Sequence, residues 1–324
     1  MKKRYKLDTA ETIRVRGETY YIRLRSNNEA GPVVLFLHGG CGSADRPWVM
    51  QYQSPLAEHC TIVAWDQRGA GMAYDPRKAK TEDLTKEQYI QDTHNVIQYL
   101  KERFGKEKII LVGHSFGSQL GVWVTQRYPE DVECFVGVGQ VVGTPRAEEI
   151  SFQFTVDEAT KRGHKRALRK LYEVGPPVNG FYKDNKVFVQ RDYLNRYGGV
   201  QYGRHGSFIG NTLPMIPAMF REYSILTMLR YIKADLYCLN SSLGKEQVNF
   251  FAEAAALEVP VYLFLGRHDY NCPFALAEEW FRALQAPEKR LVWFERSAHE
   301  PQWEEPAAWN RAFREVVLKV RITG

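Results

Sequence analysis

A serine lies between two glycines in the stretch LVGHSFGSQLG, residues 111 to 121. Ser115 directly follows an apolar run and precedes a helix-like pattern, so it marks the junction of a predicted strand and a predicted helix. On its own, the G-x-S-x-G pattern is weak evidence for a nucleophile. The frequencies of glycine and serine produce it by chance in about one chain in ten of this length. At a strand-to-helix turn, however, the pattern is typical of a nucleophilic serine with an exposed hydroxyl.

Two further residues have the types that activate a serine. Asp269 ends the run VPVYLFLGRHD, and His299 lies in RSAHEP just beyond the next apolar run. Nucleophile, acid and histidine in this chain order are typical of an α/β-hydrolase triad. The interpretation gives His299 the role of general base for Ser115, with Asp269 orienting the imidazole.

Acyl transfer also needs two donors that hold the oxyanion of the tetrahedral intermediate. The first expected donor is the backbone N–H of Phe116, the residue after the nucleophile. The second is expected from the glycine-rich loop HGGCG, residues 38–42, and we assign it to Gly40. His38 opens this loop, where we expect it to make a structural hydrogen bond.

The alternation of apolar runs and amphipathic segments predicts the architecture. After a hairpin over 12–25, strands are predicted at 33–40, 61–69, 108–115, 132–139, 259–269 and 290–295. Helices are predicted over 85–105, near 275–284 and from about Glu305. This order predicts a mostly parallel sheet with helices on both faces. Together with the chain order of Ser115, Asp269 and His299, it indicates an α/β-hydrolase fold. In such a sheet ligands bind at the carboxyl ends of the strands, where the predicted triad also lies.

The strand pattern breaks off from about Thr144 to about Leu257. We therefore expect residues 1–143 and 258–324 to form the hydrolase core, and residues 144–257 to form an inserted, mainly helical lid. Glu300, Glu304 and Glu305 stand at or before the start of the last predicted helix, where carboxylates favour the helix dipole. No chemical role is predicted for these three residues.

Composition narrows the class of protein. The 324 residues are 44% apolar and 13% aromatic, which is globular, and the net charge is +6. The basic stretch 161–170 contains no interleaved aromatics and no nucleic-acid-binding motif, and no segment approaches the roughly 18 apolar residues of a membrane span. No leader-like apolar segment follows the basic N-terminus. We expect a cytoplasmic protein with no nucleic-acid or membrane partner, no cofactor and no metal; its oligomeric state stays open.

The five cysteines are odd in number, widely spaced and without a C-x-x-C pair. This pattern predicts neither a disulfide framework nor a zinc site, so all five are expected to be reduced thiols. The residues are Cys41, Cys60, Cys134, Cys238 and Cys272.

Five segments, in this order, resemble the proline iminopeptidase family of α/β-hydrolases. They are HGGCG, DQRGAG at 66–71, GHSFGS, GRHDYNCP and SAHEP. The resemblance covers most of 33–139 and 258–310 and implies a serine peptidase that cleaves N-terminal residues from short peptides. It also implies the triad of Ser115, Asp269 and His299, with Gly40 and Phe116 as oxyanion donors.

The chain departs from that family at two places. Cys41 stands where the family usually has the proline of H-G-G-P-G, which loosens the loop and places a thiol near the site. Members also anchor the substrate amine with acidic residues from the lid and beside the catalytic acid. Glu222 is the lid candidate, with a cap or salt bridge of a lid helix as its alternative role, whereas Tyr270 stands beside Asp269. Glu222, Cys41 and Tyr270 are thus the candidate substrate-binding residues.

The leading interpretation is a serine hydrolase that acts through an acyl-enzyme on a small-molecule or short-peptide substrate, most like a prolyl or small-residue aminopeptidase. A carboxylesterase, amidase or lactonase acting on a small neutral acyl substrate is the alternative. A non-catalytic ligand-binding relative is more remote, because such a protein has no physical need to keep a triad and two donors in register. Haloalkane dehalogenases and epoxide hydrolases carry aspartate at the nucleophile position, so Ser115 disfavours attack on an alkyl carbon.

Overall fold

An eight-stranded sheet runs through the computed structural model, which describes residues 4–183, 186–206, 213 and 216–320. The spatial order is β1-β2-β4-β3-β5-β6-β7-β8; β2 is antiparallel to both β1 and β4, and all other neighbours are parallel. The strands are β1 (Leu7–Val15), β2 (Glu18–Ser26), β3 (Val33–Leu37), β4 (Thr61–Asp66), β5 (Ile109–His114), β6 (Val132–Val138), β7 (Val261–Gly266) and β8 (Lys289–Phe294). The predicted hairpin and mostly parallel sheet are confirmed.

Helices follow most of the parallel strands. They are α1 (Arg46–Tyr52), α2 (Lys86–Phe104), α3 (Phe116–Arg127), α4 (Thr144–Lys161), α5 (Lys165–Val174), α6 (Val187–Arg196), α7 (Ile216–Glu222), α8 (Ile225–Leu239), α9 (Phe250–Glu253), α10 (Phe274–Ala283), α11 (Pro301–Glu304) and α12 (Pro306–Ala312). A π-helical turn over Phe313–Val317 continues α12. Of the helices in the described part of the chain, none combines the length and apolarity that crossing a bilayer requires.

Both faces of the sheet are buried at its centre, where β3 is apolar at every position. In β3, Val33, Leu35 and Leu37 pack into one core cluster, and Val34 and Phe36 pack into a second cluster on the opposite face. This division follows from the alternation of side chains along a strand. It fixes the register of the sheet, because a shift of one residue would exchange the two faces.

The boundaries of α2 follow from local chemistry. The Thr85 hydroxyl accepts the N–H of Gln88 at 3.2 Å, which caps the first turn. Gly105 ends the helix in the left-handed conformation at φ 60°, as is common at a helix C-terminus. The predicted helix over 85–105 is therefore confirmed with both caps.

Between β6 and β7, the described residues of segment 144–257, which we call the lid, contain helices and turns. The two ends of the lid meet: Thr144 N–H donates to Val248 C=O at 3.0 Å, and Phe250 N–H donates to Val142 C=O at 2.8 Å. Because its ends lie together, the segment leaves the pairing of β6 with β7 intact. The division into core and lid stays our proposal.

Candidate active site

Ser115 occupies the turn between β5 and α3 in a strained conformation, with φ 54° and ψ −122°. A positive φ is costly for a residue with a side chain and persists only where the surroundings enforce it. A Cβ on Gly117 would lie 2.0 Å from the carbonyl oxygen of Leu37, and one on Gly113 would lie 2.3 Å from the carbonyl oxygen of Gly117. The turn can therefore pack this tightly only with glycine at both positions.

Asp269 and His299 are buried and directly bonded. His299 Nδ1 donates to Asp269 Oδ2 at 2.8 Å. The other carboxylate oxygen, Asp269 Oδ1, accepts the backbone N–H of Asn271 at 2.9 Å and of Cys272 at 2.8 Å. This bonding fixes the imidazole with its proton on Nδ1, which leaves Nε2 able to accept a proton.

The electrostatics of His299 favour a base that works near neutral pH. Burial lowers the pKa of the imidazole, but the charge of Asp269 and its hydrogen bond outweigh burial and raise the pKa of His299 above its usual 6.5. The carboxylate thus orients the ring and also stabilises its protonated form.

Contacts join the Ser115 turn to strand β6 and to the loops of the other two candidates. His114 Nε2 lies 3.0 Å from the carbonyl oxygen of His299, and Ser115 N–H donates to Val138 C=O at 2.9 Å. The Cys272 thiol, three residues beyond Asp269, interacts with the Ser115 side chain. Burial raises the pKa of this thiol well above its usual value. The structure therefore brings the three predicted triad residues to one edge of the sheet.

The loop over 38–42 lies against the nucleophile turn. A Cβ on Gly39 would lie 3.0 Å from Ser115 Cβ, and Gly40 is exposed. Phe116 is the first residue of α3, where a helix N–H has no partner in a preceding turn. The loop of Gly40 and the first residue of α3 thus both adjoin Ser115, and the assignment of the Gly40 and Phe116 N–H groups to the oxyanion stays our proposal.

Hydrogen bonds to the backbone hold the His38 ring in place. Its Nδ1 donates to Gly39 C=O at 3.0 Å, and its Nε2 accepts Gln67 N–H at 3.1 Å. Burial lowers the pKa of His38 to about 4, so the ring is neutral in this arrangement. These bonds agree with the structural role predicted for His38.

The prediction of five reduced thiols is wrong for two of them. Cys41 and Cys238 form a disulfide with a Cα–Cα distance of 5.7 Å, whereas Cys60, Cys134 and Cys272 are free. The pair could not be found from spacing, because 197 positions separate its members in sequence. The sulfur of Cys41 is therefore bonded to lid helix α8, and the free thiol expected beside the oxyanion loop is not there.

Glu222, predicted to bind the substrate amine, is engaged by cations of the core. Its two carboxylate oxygens accept from Arg23 Nε at 3.2 and 3.1 Å, and its backbone C=O accepts from Arg46 at 3.1 Å. Only 9% of the Glu222 side chain is exposed. These contacts favour the alternative role, in which Glu222 fastens α7 to the core, over an ammonium-binding role.

Tyr270 forms a contact between the loop of Asp269 and the lid. Its ring stacks on Phe154 of α4 with centroids 3.7 Å apart and planes 10° apart. Its backbone N–H donates to Gly199 C=O at 3.0 Å. The position beside Asp269 thus presents an aromatic surface, while the lid supplies the ring that covers it.

Asp235 of α8 is a lid carboxylate that sequence reasoning missed. Its Oδ1 accepts the Ser43 hydroxyl at 2.6 Å, and a Cβ on Gly40 would lie 3.7 Å from the same oxygen. Burial raises the pKa of Asp235, while the Ser43 hydrogen bond opposes this shift. Nothing in the local sequence of α8 marks this aspartate, since its place beside the oxyanion loop comes from tertiary packing.

Among the His, Cys, Asp and Glu residues whose positions are described, no three form a group that could hold a metal ion.

Comparisons with known proteins agree with this architecture. A family described as having the alpha/beta hydrolase fold matches residues 32–162. A probable aminopeptidase of Bacillus subtilis (strain 168), YbaC, is 31% identical over 280 residues, which are 85% of this chain and 86% of that protein. A probable proline iminopeptidase of Leptolyngbya boryana is 31% identical over 277 residues, 83% of this chain and 81% of that protein. The crystal structure of proline iminopeptidase from Mycobacterium smegmatis has a TM-score of 0.65 at 15% identity and covers 96% of this chain and 98% of its own.

The fold and these relatives define the class of protein, an α/β-hydrolase. Within that class the chain belongs to the proline iminopeptidase-like family. It is therefore a hydrolase, and the predicted fold and family are confirmed.

Proposed function

We propose that the chain is a serine hydrolase that removes the N-terminal residue of short peptides through an acyl-enzyme. The observation that carries the proposal is the strained Ser115 turn, which meets the loops of a bonded Asp269–His299 pair. Strain at one polar residue, held by glycines that permit no side chain, is typical of a nucleophile. The names of the relatives, aminopeptidase and proline iminopeptidase, support the substrate class.

We assign the steps of acylation to these residues as follows. The Ser115 oxygen attacks the carbonyl carbon of the N-terminal residue, and its proton moves to His299 Nε2. The Phe116 and Gly40 N–H groups hold the resulting oxyanion. When the tetrahedral intermediate collapses, the C–N bond breaks, and the shortened peptide leaves as an amine with the proton from His299. A water then attacks the ester with the same base, which restores the serine hydroxyl and releases the amino acid.

Asp235 is the carboxylate that we assign to the substrate ammonium. In an aminoacyl group a single carbon separates the ammonium nitrogen from the carbonyl carbon, so its anchor must lie beside the oxyanion site. Asp235 meets this requirement through its position next to Gly40. Its pKa is raised by burial, and a bound ammonium would favour the ionised form.

Replacement of the nucleophile tests the proposal. Ser115→Ala should lower kcat on alanyl and prolyl anilides by on the order of 10⁴ to 10⁶, because the attacking oxygen is lost while the fold stays intact. A fluorophosphonate should label the wild type at Ser115, as located by peptide mass spectrometry. Ser242→Ala is the matched control, because the Ser242 hydroxyl donates to Leu84 C=O and not to a triad residue. Undiminished turnover by Ser115→Ala would overturn the triad.

A hydrolase of neutral acyl esters is the second candidate. The stacked Tyr270 and Phe154 favour it, because they place aromatic surface where some family members carry a second carboxylate. Parallel assays with an alanyl anilide, its N-acetylated form and a neutral acyl ester separate the two candidates. Turnover of the ester alone would favour the esterase.

A further inference from the structure

The loops that carry His299 and Asp269 both bond to a glycine-rich lid segment, residues 198–202. His299 N–H donates to Val200 C=O at 3.0 Å, and Tyr270 N–H donates to Gly199 C=O at 3.0 Å. The lid segment therefore bonds to both loops that hold the acid and the base. Gly198 begins it at φ 82°, a conformation that side chains rarely adopt.

Glu304, in the last turn of α11, joins these two parts through three backbone hydrogen bonds. Its Oε1 accepts the N–H groups of Ala298 and Glu300, each at 3.0 Å. Its Oε2 accepts Tyr202 N–H at 2.5 Å. One carboxylate oxygen thus holds the peptide groups on either side of His299, and the other holds the lid.

A second bond runs in parallel between the same segments. Gln201 Nε2 donates to Glu300 Oε2 at 2.7 Å. The lid segment is therefore fastened to the His299 loop by main-chain and side-chain contacts together, which limits movement of one without the other.

We propose that Glu304 is a positioning residue: it sets the place of the His299 imidazole and makes that place depend on a docked lid segment. This inference rests on the proposed function, since it concerns the base of the triad. Three N–H donors converge on two oxygens, and only a carboxylate offers an acceptor at both positions. Glu304 and the lid segment 198–202 thus have a use that their sequence pattern did not indicate.

Two substitutions of Glu304 separate its bonds to the His299 loop from its bond to the lid segment. In Glu304→Gln the amide oxygen still accepts from Ala298 and Glu300, but the amide nitrogen meets the Tyr202 N–H as a second donor. This variant should lose about tenfold in kcat, the effect of one hydrogen bond to a charged group. Glu304→Ala removes the bonds to both segments and should lose about 100-fold, as expected for a displaced catalytic group. The rate of fluorophosphonate labelling at Ser115 should fall by similar factors, because labelling also needs the base.

Glu279→Gln is the matched control. Glu279 of α10 also joins the core to the lid, through Arg146 of α4 at 2.8 Å, but both side chains are more than half exposed. An exposed ion pair contributes little, so kcat should stay within about twofold of the wild type. Gln201→Ala should lower kcat in the same direction as Glu304→Gln, which keeps the proposal testable if Glu304→Ala does not fold.

Active-site titration with the fluorophosphonate decides between positioning and folding. Lower kcat per labelled site supports positioning, whereas fewer labelled sites with unchanged kcat per site would overturn it. Wild-type kcat in Glu304→Gln and Gln201→Ala would also overturn it. If these results overturn the positioning role while Ser115→Ala is inactive, the proposed function still stands. An active Ser115→Ala would defeat the proposed function itself.

Discussion

Cys41 and Cys238 are joined by a disulfide that fastens the loop of Gly40 to helix α8 of the lid. The backbones of the loop and the helix also lie close together, because a Cβ on Gly42 would lie 2.5 Å from the carbonyl oxygen of Ala234. Helix α8 also carries Asp235, so the bond holds the proposed ammonium anchor and the proposed oxyanion donor in one unit. Helix α8 therefore packs directly against the loop 38–42.

Thiol counting tests this disulfide. Under denaturing conditions the unreduced protein should show three reactive thiols, and the reduced protein five, matching the three free cysteines and the bonded pair. Reduction should lower the free energy of unfolding by about 2–4 kcal/mol, because the crosslink restricts the unfolded chain. Cys41→Ala should show the same loss and no further response to a dithiol. Five reactive thiols before reduction would contradict the bond.

The pH dependence of activity should report His299. The imidazole must be neutral to accept the serine proton, and Asp269 raises its pKa above 6.5. Hence kcat/KM should be low at pH 5 and rise through an apparent pKa above 6.5. In Asp269→Asn the opposing effect of burial remains, so the pKa should fall below 6.5 while kcat drops on the order of 10⁴-fold.

NMR titration of His299 in Ser115→Ala provides a readout that needs no turnover. The imidazole should titrate above pH 6.5 in this variant and at lower pH when Asp269→Asn is added. A flat activity profile from pH 5 to 8, or a His299 signal that does not respond to Asp269→Asn, would show that another group carries the proton.

Cys272 is the free thiol that should link cysteine modification to inhibition. It lies against Ser115, and burial raises its pKa, so only a small thiolate fraction exists near pH 7. N-ethylmaleimide should therefore inactivate slowly, with a rate that grows about tenfold per pH unit below the pKa. Cys272→Ala should stay active and resist, because the backbone N–H that bonds Asp269 is retained. Inactivation of this variant at the wild-type rate would place the sensitive thiol elsewhere.

The fold could be predicted, and the triad could be proposed, because their signals are local. Continuous apolar strands such as β3 and β5 allow few alternatives, and the two glycines around Ser115 are needed by the turn itself. Asp269 and His299 lie in the loops that follow β7 and β8, so the sheet brings them together once the strand order is fixed.

The contacts of the lid could not be predicted, because they depend on packing between distant segments. Glu222 and Asp235 are both lid acids, and nothing in the sequence shows that Arg23 engages the first while the second lies beside Gly40. The disulfide partner of Cys238 could not be predicted either, because it depends on the path of the whole lid. The signal at Glu304 was visible as an acidic cluster, but a helix-dipole explanation accounts for such clusters equally well.

Asp235 and Glu222 give opposite expectations for substrate selectivity. Asp235→Asn keeps an oxygen that can accept from Ser43 but removes the charge that would hold an ammonium. Loss of one partner of a desolvated charge pair costs about 2–5 kcal/mol, so kcat/KM for an alanyl or prolyl anilide should fall roughly 30-fold to several thousandfold. The N-acetylated anilide and a neutral ester carry no charge to anchor, and their kcat/KM should barely change.

Glu222→Gln is the isosteric control on the same lid. It weakens the bonds to Arg23, so it should lower the melting temperature and reduce kcat/KM for charged and neutral substrates by the same factor. Differential scanning fluorimetry and the three-substrate assay measure both effects. A selective loss on free-amine substrates in Glu222→Gln, with none in Asp235→Asn, would return the ammonium site to Glu222. Such a result would require Glu222 to leave Arg23 when substrate binds, because the two hydrogen bonds to Arg23 occupy both of its carboxylate oxygens.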